Sequence, residues 1–469
     1  MKIALAQLNY TIGDIDANAN RIIESIRQAE KQGAKLVVFA EYAVSGTPAY
    51  DLLRKTTFLT LCEEALERIA AECRNITAIV GSPMLTERGA VSAAVVMRKG
   101  QIDQIIEKQN ITARREMGFI VAGAGYQIID IDGCSLAVVV GDDLSQLQDI
   151  PQQADYVISV NARRYGKGLL TYRYETIRRL TYTECRNVII VNQVGGSGDL
   201  VYDGMSGVMN RDGKLELLMK DFEEDFQIYD TLAEHDAQDS PFTSYNHRTR
   251  MVYRAACLGL RDYFHKNGYT KACIGLSGGI DSSVVACLAV GALGAENVKG
   301  LMMPSQFSSD DSVEDAKVLA ENLGIAYSVL PIKAAYDSIV DTLKPVTGGT
   351  EFDATEENIQ SRIRTVLLMA LQNKEGYVLL NSSNKSENAV GWCTLYGDTA
   401  GAFSVTGDLY KSEIYDLARY INLNFNNPIP EVILKKEPTS ELHPNQKDSD
   451  ILPPYEVVDA ILYRMIEKG

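Results

Sequence analysis

The sequence predicts an α/β protein of two domains. Three observations carry that expectation. Short apolar, β-branched runs alternate with longer amphipathic stretches, the pattern of sheets covered by helices. A polar stretch that begins near residue 226 interrupts the pattern. Beyond it, a Gly-rich loop falls between a strand-like and a helix-like segment. The 469 residues are long enough for two or three domains, and a composition of 46% hydrophobic and 23% charged residues excludes a disordered or fibrous chain.

The elements follow in order. KIALAQL, AKLVVFA, ITAIVGS, AAVVM, SLAVVVG, YVISVNA and NVIIVNQ read as strands. Residues 18–31 and 58–73 read as helices; the first opens on capping Asn residues and sets Ile22, Ile23 and Ile26 on one face. TYRYETIRRLTYTECRN is a predicted helix that contains Cys185. Residues 227–247 are polar, with little apolar periodicity, and are expected to link a domain over 1–226 to one over 248–469. After the linker, MVYRAACLGLRDYFHKNG is helical and KACIGL is a buried strand. A second α/β pattern runs to about 425, and a Pro-punctuated loop and a helix close the chain.

Charge and composition remove several function classes. The formal net charge is −16 and the pI about 4.9, so the concentrated basic face that nucleic acid requires is not expected. No apolar run approaches the ~18–20 residues that cross a bilayer. The start, MKIALAQLNYTIGDID, reads as a strand and not as a leader. Eight cysteines at 62, 73, 134, 185, 257, 273, 287 and 393 form no CxxC; most lie in apolar contexts, which implies reduced thiols and a cytoplasmic setting. Four histidines, at 235, 247, 265 and 443, show no zinc-ligand spacing.

The strongest motif is Gly275-Leu276-Ser277-Gly278-Gly279-Ile280-Asp281-Ser282-Ser283, after KACI and before SVVACLAVGAL. Gly278 and Gly279 permit positive φ and close backbone approach. The N–H groups opening the helix, with the Ser277, Ser282 and Ser283 hydroxyls, can hold a pyrophosphate. A GKS sequence is missing, which excludes the Walker type. The bland alternative is an ordinary Gly-rich turn.

SGGxDS resembles the signature of the ATP pyrophosphatases, which cleave ATP between the α and β phosphates and adenylate an oxygen. The segments LMMPSQFSS (301–309), EENIQSRIRTVLLMALQN (356–373), NSSNKSENAVGWCTLYGDTAGAF (381–403) and EPTSELHPNQKDSDILPPYEVVDAIL (437–462) follow in order. Together they resemble the synthetase domain of glutamine-dependent NAD synthetases, with a Rossmann-like parallel sheet. The resemblance implies that Gly275, Leu276, Ser277, Gly278, Gly279, Ile280, Asp281 and Ser282 bind ATP phosphates, with Ser382, Lys411 and Thr439 as further ATP contacts. It implies Mg²⁺ on Asp281 and Glu387, a pair of hard oxygen ligands. It places Asn358, Arg362, Glu387 and Lys447 near deamido-NAD, and Asp398 near the reacting end. Ser383 stands where the family usually has Gly, and is expected to crowd its loop. A pyridine carboxylate is a poor electrophile; adenylation gives it a leaving group that ammonia displaces, and positioning and electrostatics supply most of the catalysis.

In the first domain, KIALAQLNYTIGDIDANANRI, AKLVVFAEYAVSGTPAYDLL and VNQVGGSGDLVYDGMSGVMNRDGK resemble a nitrilase-type glutaminase. The implied fold is an αββα sandwich. Such a site needs a Glu, a Lys and a nucleophilic Cys. Glu41 and Lys108 match the first two, and are expected to persist as a buried ion pair. The Cys position, after SLAVVV, is Gly141, so thioester chemistry is impossible there. The neighbouring segments Ile111–Met117 and Asn161-Ala162-Arg163-Arg164-Tyr165 depart from the family's glutamine-contacting pattern too, and Arg163 and Arg164 could bind an anion instead. Cys134 is expected at the far end of its strand.

The expectation is a C–N-forming ligase that makes NAD from deamido-NAD, ATP and ammonia, with an inactive nitrilase-like domain. It would be a homo-oligomer, at least a dimer, with no nucleic-acid or membrane partner, and its ammonia would come free or from a separate amidase. Two other readings stand beside it: an amidating ligase for a different carboxylate, and a ligand-sensing or partner-recruiting protein.

Overall fold

The computed structural model describes the chain except residues 113–115, 124–125, 151–152, 239–244, 349–351, 445 and 469, and the side chains of 147–149 and 245–247. The expectation for the segment Ile111–Met117 therefore lies in part outside the described residues. The chain divides into two compact units, Met1–Arg248 and Thr249–Gly469.

In the first unit the strands are β1 (Lys2–Gln7), β2 (Leu36–Val38), β3 (Thr77–Thr86), β4 (Gly89–Arg98), β5 (Gln101–Glu107), β6 (Gln127–Ile131), β7 (Cys134–Val140), β8 (Tyr156–Asn161), β9 (Asn187–Asn192), β10 (Val194–Ser197), β11 (Leu200–Asp203), β12 (Gly207–Met209), β13 (Leu215–Leu218) and β14 (Asp225–Asp230). The helices are α1 (Ile15–Lys31), α2 (Thr56–Ala70) and α3 (Leu169–Glu184). Two six-stranded sheets form, in the orders β14-β1-β2-β3-β4-β5 and β13-β12-β9-β8-β7-β6. Alternate side chains explain the continuous apolar runs: Ile3, Leu5 and Val38 meet Val138, Val140 and Val160 between the sheets, while Ala4, Ala6 and Val37 meet Ile22, Ile26 and Leu66 of the helices. Helices and sheets thus stack as the expected αββα sandwich.

The first domain does not end at 226. β14 runs to Asp230 and pairs antiparallel with β1 from Lys2↔Asp230 to Gln7↔Asp225, so the opening of the expected linker belongs to the first sheet. At the other end of that segment, α4 (Tyr245–Lys266) has already begun. Cys185 is the left-handed cap that follows α3, not a residue within the helix.

The second unit holds a five-stranded sheet. Its strands are β15 (Ala272–Gly275), β16 (Val298–Met302), β17 (Ala326–Val329), β18 (Val378–Asn381) and β19 (Phe403–Ser404), all parallel, in the order β17-β16-β15-β18-β19. The chain moves outward from β15 to β17 and then returns to β18, so the strand order reverses beside β15. That reversal leaves a crevice at the carboxyl ends of β15 and β18, the place where open α/β sheets bind ligands. Helices α4, α5 (Ile280–Leu293), α6 (Asp310–Leu323) and α10 (Lys411–Asn424) share one core with the sheet, and α7 (Lys333–Thr347) and α8 (Ala354–Glu375) share another. A short α9 (Lys385–Val390) follows β18. No helix among the described residues is long and apolar enough to cross a membrane.

Candidate functional site

The phosphate loop leaves β15 at Gly275 and enters α5 at Ile280. Gly278 has φ +76°, and a Cβ there would lie 2.2 Å from the Ser312 carbonyl oxygen, so only glycine lets the loop pass α6. Gly279 has φ −95°, so the expected positive φ is needed at only one of the two glycines. Ser277 and Ser282 hydroxyls lie 3.0 Å apart, and no side chain caps α5. The helix therefore opens on backbone N–H groups facing the crevice, an anion-binding end.

That crevice is a cavity of about 500 Å³, lined by the loop, by Asn358, Ser361, Arg364 and Thr365 of α8, by Ser382, Ser383 and Glu387 after β18, by the 391–400 loop, by Lys411, and by 436–442. Lys411 Nζ donates to Asp281 Oδ2 at 2.6 Å and to Glu387 Oε1 at 3.0 Å. Asn384 Nδ2 holds the other Asp281 oxygen at 2.8 Å and caps α9. Burial, then the neighbouring Asp281 charge, raises the Glu387 pKa to about 7. Burial opposes the Lys411 charge, but Asp281 and Glu387 outweigh it and raise its pKa. Two clustered carboxylates that share one ammonium suit a small divalent cation. No cluster of three or more His, Cys, Asp or Glu that could hold a metal ion occurs among the described residues.

Asp398 sits in a second network. Its Oδ1 accepts from the Thr394 N–H at 2.6 Å and from Ser361 Oγ at 3.2 Å. Thr394 Oγ1 in turn donates to Asn358 Oδ1 at 2.6 Å. Loss of hydration raises the Asp398 pKa against these hydrogen bonds. Ser383 does not crowd its loop: it is buried, and its hydroxyl donates to the Asp398 carbonyl at 3.0 Å. Thr439 lines the cavity and donates to the Gln446 carbonyl at 2.6 Å.

Two expected substrate contacts fall elsewhere. Arg362 is exposed and bonds the Leu395 carbonyl at 3.2 Å, and Lys447 pairs with Glu437 at 2.7 Å; neither lines the cavity. Arg364, Lys436 and Glu441 do line it, and the motif reading passed over all three. For α8 the signal was helical spacing, since Asn358, Ser361 and Thr365 fall at i, i+3 and i+7. Glu441 Oε1 accepts from the Ser309 and Ser312 hydroxyls at 2.9 and 2.6 Å, at the start of α6. Nothing local to the 436–442 segment announces that contact.

In the first unit the three expected residues meet. Lys108 Nζ lies 3.1 Å from Glu41 Oε1, both are about 1% exposed, and Ser92 Oγ donates to the same oxygen at 2.9 Å. A Cβ placed on Gly141 would lie 2.7 Å from Lys108 Nζ and 2.8 Å from Glu41 Oε2. Gly141 follows β7 with φ +55°, and Cys134 opens the same strand at its other end. A fourth residue completes the group. Buried Glu116 accepts from Lys108 Nζ at 3.0 and 2.8 Å and from Tyr42 OH at 3.0 Å. Burial opposes the Lys108 charge, yet Glu41 and Glu116 outweigh it and raise its pKa. Asp143 accepts from the N–H groups of Gln109 at 3.0 Å and Asn110 at 2.7 Å, tying the segment after Lys108 to the turn after Gly141. Arg163 donates to the Gly141 carbonyl at 3.2 Å and to Asn161 Oδ1 at 3.1 Å, so its guanidinium covers the turn.

Comparison with known proteins agrees with both halves. A carbon–nitrogen hydrolase family matches residues 2–233, and an NAD synthase family matches residues 252–469. A glutamine-dependent NAD(+) synthetase of Aquifex aeolicus is 37% identical over 512 aligned positions, spanning 100% of this chain and 90% of the relative. One from Acinetobacter baylyi is 35% identical over 100% of this chain and 88% of its own. The solved glutamine-dependent NAD+ synthetase of Acinetobacter baumannii, in complex with ADP, is 35% identical with a TM-score of 0.85, covering 100% of this chain and 88% of that one. The sandwich around Glu41 and Lys108, and the parallel sheet with its SGGIDS loop, thus place this chain in the NAD synthetase family, whose members join a carbon–nitrogen hydrolase domain to an NAD synthase domain.

Proposed function

We propose that this NAD synthetase draws on ammonia and not on glutamine, and that its first domain has no glutaminase activity. One observation carries the reading: residue 141 lies against the Glu41–Lys108 pair, where a nucleophile would sit, and it has no side chain. Glutamine hydrolysis of this type needs a thiolate at that point. The other first-domain thiols are badly placed. Cys134 lies at the opposite end of β7, and Cys185 is exposed on the cap of α3. Burial raises the Cys62 and Cys73 thiols to about 12, which keeps them protonated and inert.

In the second domain, the loop Gly275–Ser282 would hold ATP phosphates, with Ser382, Lys411 and Thr439 as further contacts. Asp281 and Glu387 would hold Mg²⁺, which supplies positive charge to the phosphate oxygens when bound. Lys411, already beside both carboxylates, would keep the phosphate end neutralised. Asn358 and the Asp398 network would fix the deamido-NAD end. Arg362 and Lys447 could reach substrate only from outside this cavity.

The test is NAD formation by the purified protein with deamido-NAD, ATP and Mg²⁺, fed either ammonium chloride or ammonia-free glutamine. Product from ammonium alone is expected. Equal product from glutamine would refute the reading and demand another nucleophile.

A further inference from the structure

Among the described residues, three cationic side chains line the synthetase cavity: Arg364, Lys411 and Lys436. Two are engaged by the protein. Lys411 sits between Asp281 and Glu387, and Lys436 bonds Ser312 and lies 3.5 Å from Glu441. Arg364 is different. Its Nε donates to the Met303 carbonyl at 3.0 Å, which fixes the plane of the guanidinium, and no described carboxylate lies within ion-pair distance. The side chain lines the cavity. Burial penalises the charge, and the more distant Glu441 and Asp398 carboxylates offset that penalty only in part. A cation held this way in a chain of net charge −16 points to an anion that comes from outside the protein.

Its position narrows which anion. The phosphate loop belongs to α5, on one face of the sheet, and Arg364 belongs to α8, on the other. Met303 directly follows β16, so the guanidinium lies at the carboxyl end of the sheet. The same helix carries Asn358 and Ser361, which hold Thr394 and Asp398. Arg364 therefore lines one cavity together with the phosphate loop and Asp398. In adenylation two anions must meet there, the substrate carboxylate and the α-phosphate. A planar fork of donors can serve both oxygens at once, which an ammonium cannot do with the same geometry.

We propose that Arg364 holds the substrate carboxylate against the α-phosphate of ATP, one terminal nitrogen donating to each. The proposal rests on the NAD-forming reading of this domain. In the step it serves, a carboxylate oxygen forms a bond to the α-phosphorus, and the bond from that phosphorus to the bridging oxygen breaks. Pyrophosphate leaves with the electron pair, and no proton moves. Arg364 offsets the repulsion between the two anions and the charge gathered on the α-phosphate oxygens in the transition state.

The experiment is deamido-NAD-dependent exchange of labelled pyrophosphate into ATP by the full chain, without ammonia. For Arg364→Gln the expected kcat for exchange falls about a hundredfold, the scale of losing one transition-state donor, with a far smaller change in KM for ATP. Arg364→Lys is expected to recover part of the loss, and added guanidinium ion to restore Arg364→Ala. Wild-type exchange by Arg364→Gln would overturn the proposal. A loss that neither lysine nor guanidinium relieves, with a matching fall in melting temperature, would also overturn it, because Arg364 would then only brace α8 against Met303. A wild-type chain with no such exchange overturns the reading on which the proposal rests.

Discussion

Gly141→Ala is the most direct test of how tightly the Glu41–Lys108 pair packs against residue 141. The added Cβ would meet Lys108 Nζ at 2.7 Å, Glu41 Oε2 at 2.8 Å and Lys108 Cε at 3.1 Å. Two costs follow. At φ +55° an L-residue is in the left-handed region, which costs roughly 1–2 kcal/mol. The methyl group also pushes the ammonium from its carboxylates, and a hydrogen bond to a charged group contributes about 1.5–3 kcal/mol. The lysine can shift, but its partners Glu41 and Glu116 are both buried, so the strain is shared and not escaped. A loss of about 3 kcal/mol is expected, which for a unit of this size lowers its melting temperature by roughly 6–12 °C. Calorimetry on the full chain reads this as a shift of the first unit's transition. Gly141→Ala that melts with the wild type, or above it, would refute the argument, since it would mean that space at residue 141 is open. Gly141→Cys carries the same strain, and Arg163 still covers the turn. It is expected to leave glutamine-driven NAD formation at background.

Two further outcomes concern the synthetase site. Gly278→Ala places a methyl group 2.2 Å from the Ser312 backbone oxygen, which cannot yield as a side chain can; ATP binding measured by titration calorimetry should be abolished while α5 remains folded. For Glu387, burial and Asp281 raise the folded pKa from 4.5 to about 7, so the folded state keeps a proton that the unfolded chain has already released. Stability of the metal-free protein should therefore fall as pH rises from about 4.5 to 7, by about 3 kcal/mol at most for this one group. Glu387→Gln removes that slope, and parallel urea midpoints for wild type and variant across pH 5–7 would contradict the assignment.

Much of this was legible in the sequence wherever the chemistry is contiguous. The SGGIDS loop, its preceding strand and its following helix all lie in the single contiguous stretch Ala272–Leu293, so local pattern alone places the anion-binding helix end. The missing side chain at 141 was legible too, because strand β7 sets its own direction and Gly141 follows directly from it. The continuous apolar runs likewise announced strands covered on both faces.

What only the tertiary structure decided is which distant groups share a site. Lys411 reaches Asp281 across 130 residues, and Glu441 reaches Ser312 across 129. Glu116 joins Lys108 in the interior, although its own segment departs from the family's glutamine-contacting pattern. Arg362 and Arg364 look alike in sequence, but two steps along a helix turn a side chain by about 200°, and that phase sends one outward and one into the cavity. The strand Asp225–Asp230, whose last four residues read as linker, is an edge strand only half covered, and its partner lies more than two hundred residues earlier. Local propensity sees helices, strands and loops, because those depend on near neighbours. Ion pairs, edge pairing and the choice between two arginines depend on packing, and packing is set by the whole chain.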